Sequence, residues 1–163
     1  MSDILSTDFD ALELGGRFQT RGRTITEADL VSFAALTGDA HPIHTDVEWA
    51  AASEFNGRVA HGMLLLSYCV GLVPLDPAYV MALRGFERIA FKRPVRIGDT
   101  IHVDGTCESK VELDEATGLV VFNWKIVNQR GETAAFAKVR VVWRREREPA
   151  PAAAMEIGEQ VFL

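Results

Sequence analysis

Two cysteines in 163 residues, no apolar run of membrane-spanning length and no surplus of positive charge narrow the reading of this chain from the outset. Cys69 and Cys107 sit in apolar, strand-like surroundings and lack the close spacing of a metal-binding pair. They read as buried free thiols of a reducing compartment. The longest apolar stretch, Met63 to Leu75, falls well short of the roughly 20 residues that cross a bilayer. No basic segment followed by an apolar one opens the chain, so no secretory signal is expected and the predicted location is the cytoplasm. A formal net charge of −6 argues against a nucleic-acid binder, which carries a basic face. It leaves anionic small molecules open as ligands, because local patches decide their binding. No internal repeat is present. What remains is ordinary globular material, 48% hydrophobic and 25% charged, long enough for one domain with a real core.

The pattern of elements is legible along most of the chain. Residues 1–14 are polar and acidic, and Gly15-Gly16 leads into a strand expected from Arg17 to Ile25. Thr26 with Asp29 three residues on is a capping-box variant. It opens a helix whose Leu30, Phe33, Ala34 and Thr37 share a face, and which Gly38 ends. Thr45-Asp46-Val47-Glu48 reads as a second capping box before a short helix through Ala51. From His61-Gly62 the run to Val73 is apolar nearly all round, which predicts a helix enclosed on every side, stopped by Pro74 and Pro77. Strands are expected over Leu83 to Phe91, Asp99 to Leu113, Leu119 to Asn128 and Thr133 to Arg145. In the second of these, Ile101, Val103, Gly105, Cys107, Val111 and Leu113 alternate with polar residues and are assigned to one buried face. The sum is an α+β domain over 15–145, a long-stranded antiparallel sheet around one central helix, followed by a Pro/Ala-rich tail over 146–163.

Thr37-Gly-Asp39-Ala-His41-Pro42-Ile43-His44-Thr-Asp46 asks for a chemical explanation. A carboxylate and an imidazole on one rigid turn can hold a single water from two sides, the apparatus for adding water to an activated double bond or removing it. A plain Asx-type turn with solvated histidines is the competing explanation, since Asp, Gly and Pro are common turn residues. A zinc site built from His41, His44, Asp39 and Asp46 is a weaker one. Gly62 stands where the first turn of the central helix leaves its N–H unpaired at the positive end of the dipole. A donor there can stabilise an oxyanion by roughly 3–4 kcal/mol. His61, beside that positive end, is read as neutral and structural. Arg84, Arg88, Lys92, Arg93 and Arg96 crowd one segment of an otherwise acidic chain.

Phe33-Ala-Ala-Leu-Thr-Gly-Asp39-Ala-His-Pro-Ile-His44, continuing through Trp49-Ala-Ala-Ala-Ser53, resembles the signature of the MaoC-like dehydratases and (R)-specific enoyl-CoA hydratases. Gly57-Arg-Val-Ala-His-Gly62-Met-Leu and Phe91-Lys-Arg-Pro-Val-Arg-Ile-Gly-Asp99-Thr resemble the same family in the same order. The likeness covers about residues 15 to 145. One departure stands out, because the family's commonest pattern has Asn where this chain has His41. The resemblance implies a hot-dog fold and reversible hydration of a trans-2-enoyl-CoA to the (R)-3-hydroxyacyl-CoA. It implies catalysis by Asp39, His44 and the Gly62 N–H, with His41, Pro42, Ile43 and Met63 against the substrate. No metal or cofactor is expected, coenzyme A entering as part of the acyl-CoA substrate. A homodimer or a larger homo-oligomer is expected to cover the open sheet edge. Basic side chains of the Arg84–Arg96 segment are candidates for the coenzyme's phosphates, and Val70, Leu72 and Trp124 for the depth of the acyl tunnel. Two other functions compete: an acyl-CoA thioesterase, and a non-catalytic acyl-CoA-binding or regulatory protein.

Overall fold

The computed structural model describes residues 4–148. Its elements in chain order are β1 (Arg17–Gln19), β2 (Arg23–Thr24), α1 (Glu27–Thr37), α2 (Pro42–Thr45) and α3 (Val47–Ala52). These are followed by α4 (Gly62–Leu72), β3 (Val80–Phe91), β4 (Thr100–Glu112), β5 (Thr117–Asn128) and β6 (Thr133–Arg144). The strands form one antiparallel sheet in the order β1-β4-β5-β6-β3, with β2 also paired to β4. The single strand expected from Arg17 to Ile25 is thus two short ones. Thr20 marks the break, its hydroxyl accepting the Val103 N–H at 2.9 Å.

Local chemistry accounts for the helices. Thr26 and Asp29 form the reciprocal capping box at the start of α1, and Gly38 closes it in the left-handed conformation at φ 76°. Pro42 opens α2, where a missing N–H costs nothing. The cap of α3 is Asp46 rather than Thr45, its carboxylate accepting the Trp49 N–H at 2.9 Å. α4 begins at Gly62 and ends one residue before Val73, just ahead of Pro74.

The inner face of the sheet packs on α4. Leu64, Leu65, Leu66 and Cys69 share one core with Ile101, Val103, Cys107, Val120, Phe122, Trp124, Val139 and Val141. This is the α+β, hot-dog arrangement of a sheet curled around a helix. Each such Leu contributes about 1.5–3 kcal/mol by leaving water. Both cysteines are free and buried, and burial pushes their thiols up to about 12 for Cys69 and about 11 for Cys107. They are inert packing groups. No helix among the described residues is long and apolar enough to cross a membrane.

Three further features differ from the expectations. α4 is not enclosed all round: Met63, Ser67 and Gly71, four residues apart, form an exposed stripe that the sheet of one chain does not reach. In β4 the register shifts between Cys107 and Ser109. The extra residue reverses the alternation, so Val111 and Leu113 lie exposed while Lys110 turns inward beside Val120. There its ammonium donates to the carbonyls of Phe9 and Asp10. The third concerns the N-terminal segment. Leu5, Phe9 and Leu12 join the core, and Phe9 occupies the space that a Cβ on Gly118 would need. The Pro/Ala-rich tail from Pro149 onward lies outside the described residues.

Candidate active site

A cavity of about 550 Å³ opens where the loop after α1, helix α2, the first turn of α4 and the segment after β3 meet. Asp39, Ile43, His44, Gly62 and Met63 line it, so five of the seven residues predicted for the site come together there. His41 and Pro42 are not part of its wall. His41 caps α2, its Nδ1 accepting the Ile43 N–H at 3.2 Å, and Pro42 is the first residue of that helix. An Asn at position 41 would cap through its side-chain oxygen, so the departure from the family pattern preserves the local structure. His41 also packs edge-on against Trp49, ring centroids 5.6 Å apart.

The turn carrying Asp39 is held from both sides. The Asp39 N–H donates to the Thr37 hydroxyl at 3.2 Å, and the carboxylate Oδ1 receives the His41 N–H at a long 3.4 Å. An Asx-type contact is therefore present, but it is weak and leaves the carboxylate exposed to the cavity. His44 has one defined tautomer. Its Nδ1 is 2.7 Å from the Val59 carbonyl, which only accepts, so Nδ1 carries the hydrogen and Nε2 is left as the acceptor. Burial lowers the His44 pKa below the ordinary imidazole value. His61 and His41 push the same way, while the Val59 carbonyl and Asp39 oppose them. A neutral His44 is a base in waiting.

A carboxylate oxygen of Asp39 and a ring nitrogen each of His44 and His61 lie within 4.8 Å of one another. His61 Nε2 is 3.0 Å from the Asp39 carbonyl and donates to it. It therefore offers a hydrogen rather than a lone pair. On the cavity wall the Asp39 carboxylate and His44 Nε2 are both acceptors, a pair suited to a water's two hydrogens. Asp46 belongs to no such group, being spent on its cap.

At the first turn of α4 the N–H groups of Gly62, Met63 and Leu64 have no acceptor among the described residues, the first bond of the helix running from Leu65 to the His61 carbonyl. Gly62 is required here by close approach. A Cβ would stand 2.6 Å from Cζ of Phe91, whose ring lies over it. Of the basic segment only Lys92 and Arg93 reach the cavity wall. Arg96 is spent on the carbonyls of Asn56 and Phe55, and Arg84 and Arg88 lie exposed on β3. Val70, Leu72 and Trp124, proposed for tunnel depth, do not line the cavity; Phe33, Leu65 and Phe91 do.

A further contact fixes the helix that delivers Asp39. The Tyr68 hydroxyl of α4 donates to Asp29, and the Arg23 guanidinium lies 3.7 Å over the Tyr68 ring while its NH2 donates to Asp29 at 2.9 Å. Burial alone would raise the Asp29 carboxyl, but hydrogen bonds from Tyr68, Thr26 and Arg23 hold it at about 2. Sequence spacing shows only the cap in this arrangement.

Residues 11–128 match the MaoC like domain family. Protein MaoC of Klebsiella aerogenes is 44% identical over 103 residues, covering 63% of this chain and 31% of that protein. An (R)-specific enoyl-CoA hydratase of Aeromonas caviae is 31% identical over 125 residues, 76% of this chain and 90% of its own length. The chain spans less than two thirds of the length of several curated relatives it matches. An unliganded R-hydratase structure from Pseudomonas aeruginosa superposes with a TM-score of 0.71 at 29% identity, covering 93% of this chain and 96% of that one.

Proposed function

This chain belongs to the MaoC-like domain family of hydratases and dehydratases, and from that premise we propose that it reversibly hydrates a trans-2-enoyl-CoA to the (R)-3-hydroxyacyl-CoA. The observation that carries the proposal is the pairing, in one cavity, of the Asp39 carboxylate and His44 Nε2 with the unspent N–H of Gly62. The (R) configuration is taken from the similarity to the Aeromonas and Pseudomonas proteins.

In this reading one water donates its two hydrogens to Asp39 and His44. Its oxygen attacks C3 of the enoyl thioester while a proton reaches C2. The hydroxyl and the added hydrogen come from the same water, so the reaction balances without a metal or cofactor. Asp39 is the principal acid and base, and His44 orients the water and shares the transfer. Negative charge on the thioester oxygen is met by the Gly62 N–H at the positive end of α4. Lys92 and Arg93 on the cavity wall supply positive charge for the phosphates of coenzyme A, and Ile43 and Met63 supply apolar contact.

A homodimer belongs to the same proposal. β3 is an edge strand that exposes Met81, Leu83, Ile89 and Phe91, and the open stripe of α4 includes Met63. A second copy paired along β3 would continue the sheet and cover this apolar surface. Free buried thiols suit the reducing cytoplasm.

The test is a panel of trans-2-enoyl-CoAs with chiral separation of the products and a thiol reagent in parallel. Accumulation of the (R)-3-hydroxyacyl-CoA is the predicted result. Release of free coenzyme A thiol would point to a thioesterase, and binding without any product to a non-catalytic acyl-CoA protein. Either outcome would remove the hydratase assignment.

A further inference from the structure

Beyond the pair that handles the water, His61 is the side chain of this site with the most left to explain. It is 2% exposed and lines the cavity. It precedes the first residue of α4 yet makes no side-chain cap to that helix. Its bonds go elsewhere. Nε2 donates to the Asp39 carbonyl at 3.0 Å, fixing the backbone of the residue whose carboxylate meets the water. The face of the ring stacks on His44, with centroids 3.8 Å apart and planes 26° from parallel. The Phe33 ring of α1 lies 5.0 Å away. One imidazole therefore joins the loop after α1, the ring presented by α2 and the first turn of α4.

A residue selected only for volume would not look like this. Nδ1 of His61 is buried with no partner among the described residues, a cost that Leu or Phe at the same place would avoid. With Nε2 holding its hydrogen for the Asp39 carbonyl, a second proton on Nδ1 would find no acceptor.

We infer that His61 is a positioning residue of the reaction, setting Asp39 and His44 in register with each other and with the Gly62 N–H. The inference rests on the hydratase reading, in which those three groups act on one substrate and one water. It replaces the purely structural role that the sequence suggests for His61. The titratable and charged groups around His44 are His61 at the cap of α4, Asp39 after α1, His41 at the start of α2, and Lys92 and Arg93 along the cavity wall. His61 and His41 oppose a charge on His44 and Asp39 favours one, so replacing His61 raises the pH at which His44 takes up its proton.

Two variants of the full chain separate the two contacts. His61→Gln keeps an N–H donor for the Asp39 carbonyl and loses the ring. His61→Phe keeps the ring against His44 and loses the donor. With crotonyl-CoA, kcat is expected to fall about 10–100-fold in each, because small misplacements of reacting groups are that costly, while KM stays near the parent value. In His61→Gln the acid limb of kcat/KM is expected to move to higher pH, and the His44 titration followed by NMR to move with it. Unchanged kcat in both variants, with His44 titrating where it does in the parent, would reduce His61 to a space-filling residue and overturn the inference. If the parent hydrates no enoyl thioester, the hydratase reading fails on its own. The NMR titration then decides for His61: a shifted His44 supports the coupling and an unshifted one refutes it.

Discussion

Replacing Gly62 by Ala tests the oxyanion assignment without deleting the N–H that is said to do the work. Gly62 has no positive φ, so Ala adopts the backbone without strain and slightly favours the helix. Its Cβ, however, would lie 2.6, 2.8 and 2.9 Å from Cζ, Cε2 and Cε1 of Phe91. Contacts that short force either the Phe91 ring or the first turn of α4 to move by about 1 Å, the difference from an ordinary 3.5–4.0 Å carbon contact. A displacement of about 1 Å in a catalytic group costs on the order of 100-fold, which is about 2.7 kcal/mol in the barrier. The expected result is a kcat loss of that order with Tm nearly unchanged. Phe91 is half-exposed and its ring can be removed, so Gly62→Ala combined with Phe91→Ala should recover activity relative to Gly62→Ala alone. The four proteins form a double-mutant cycle in which the coupling reports the contact. Steady-state hydration of crotonyl-CoA and a thermal melt of each protein complete the assay. Full activity in Gly62→Ala would show that the reaction does not depend on the placement of that N–H.

Stability and pH behaviour follow from other parts of the molecule. The lowered His44 pKa means that the unfolded chain binds this proton more readily than the folded one. Stability from this site is therefore complete above the ordinary imidazole range and declines as pH falls through it toward the folded value. Urea melts between pH 5 and 7.5 of the parent and His44→Ala should show that the parent loses more stability on acidification; identical slopes would contradict the shift. Asp29→Ala removes the Asp29 half of the capping box of α1, leaving the Thr26 cap in place, and the acceptor for Tyr68 and Arg23, a loss of about 1–2 kcal/mol from the hydrogen bonds given up. Its Tm should fall clearly, and its activity with it because α1 delivers Asp39. Leu66→Ala empties a fully buried position of α4, and equilibrium denaturation should show a loss of about 2–5 kcal/mol.

Much of the architecture is legible in the residues because short-range chemistry specifies it. Thr26, Asp29 and Gly38 bracket α1 as their spacing predicts, and the apolar run after His61 becomes α4. The strands after it fall within three residues of their expected limits, since period-two alternation and turn residues mark them. The misreadings share a cause. Nothing in Glu108 or its neighbours announces the bulge that turns Val111 and Leu113 outward, because a register shift belongs to the pairing with β5 and not to one strand. Leu5, Phe9 and Leu12 are spaced i, i+4, i+7 among acidic residues, a signal hidden by the polarity of the segment. Asp39, His44 and Gly62 could be named from motif and position. The cap made by His41 is local, its partner being the Ile43 N–H two positions on, whereas the role of His61 as a link needed the fold, since the Asp39 carbonyl and the His44 ring it meets lie 22 and 17 positions away.

Loss of enoyl absorbance from crotonyl-CoA, measured for the parent beside Asp39→Asn and His44→Ala, bears most directly on the claim that this pair activates one water. Hydration by the parent is expected, with a drop of several orders of magnitude in both variants, each still folded and still binding the thioester. A parent that consumes the enoyl band while either variant does so at a comparable rate would contradict that claim.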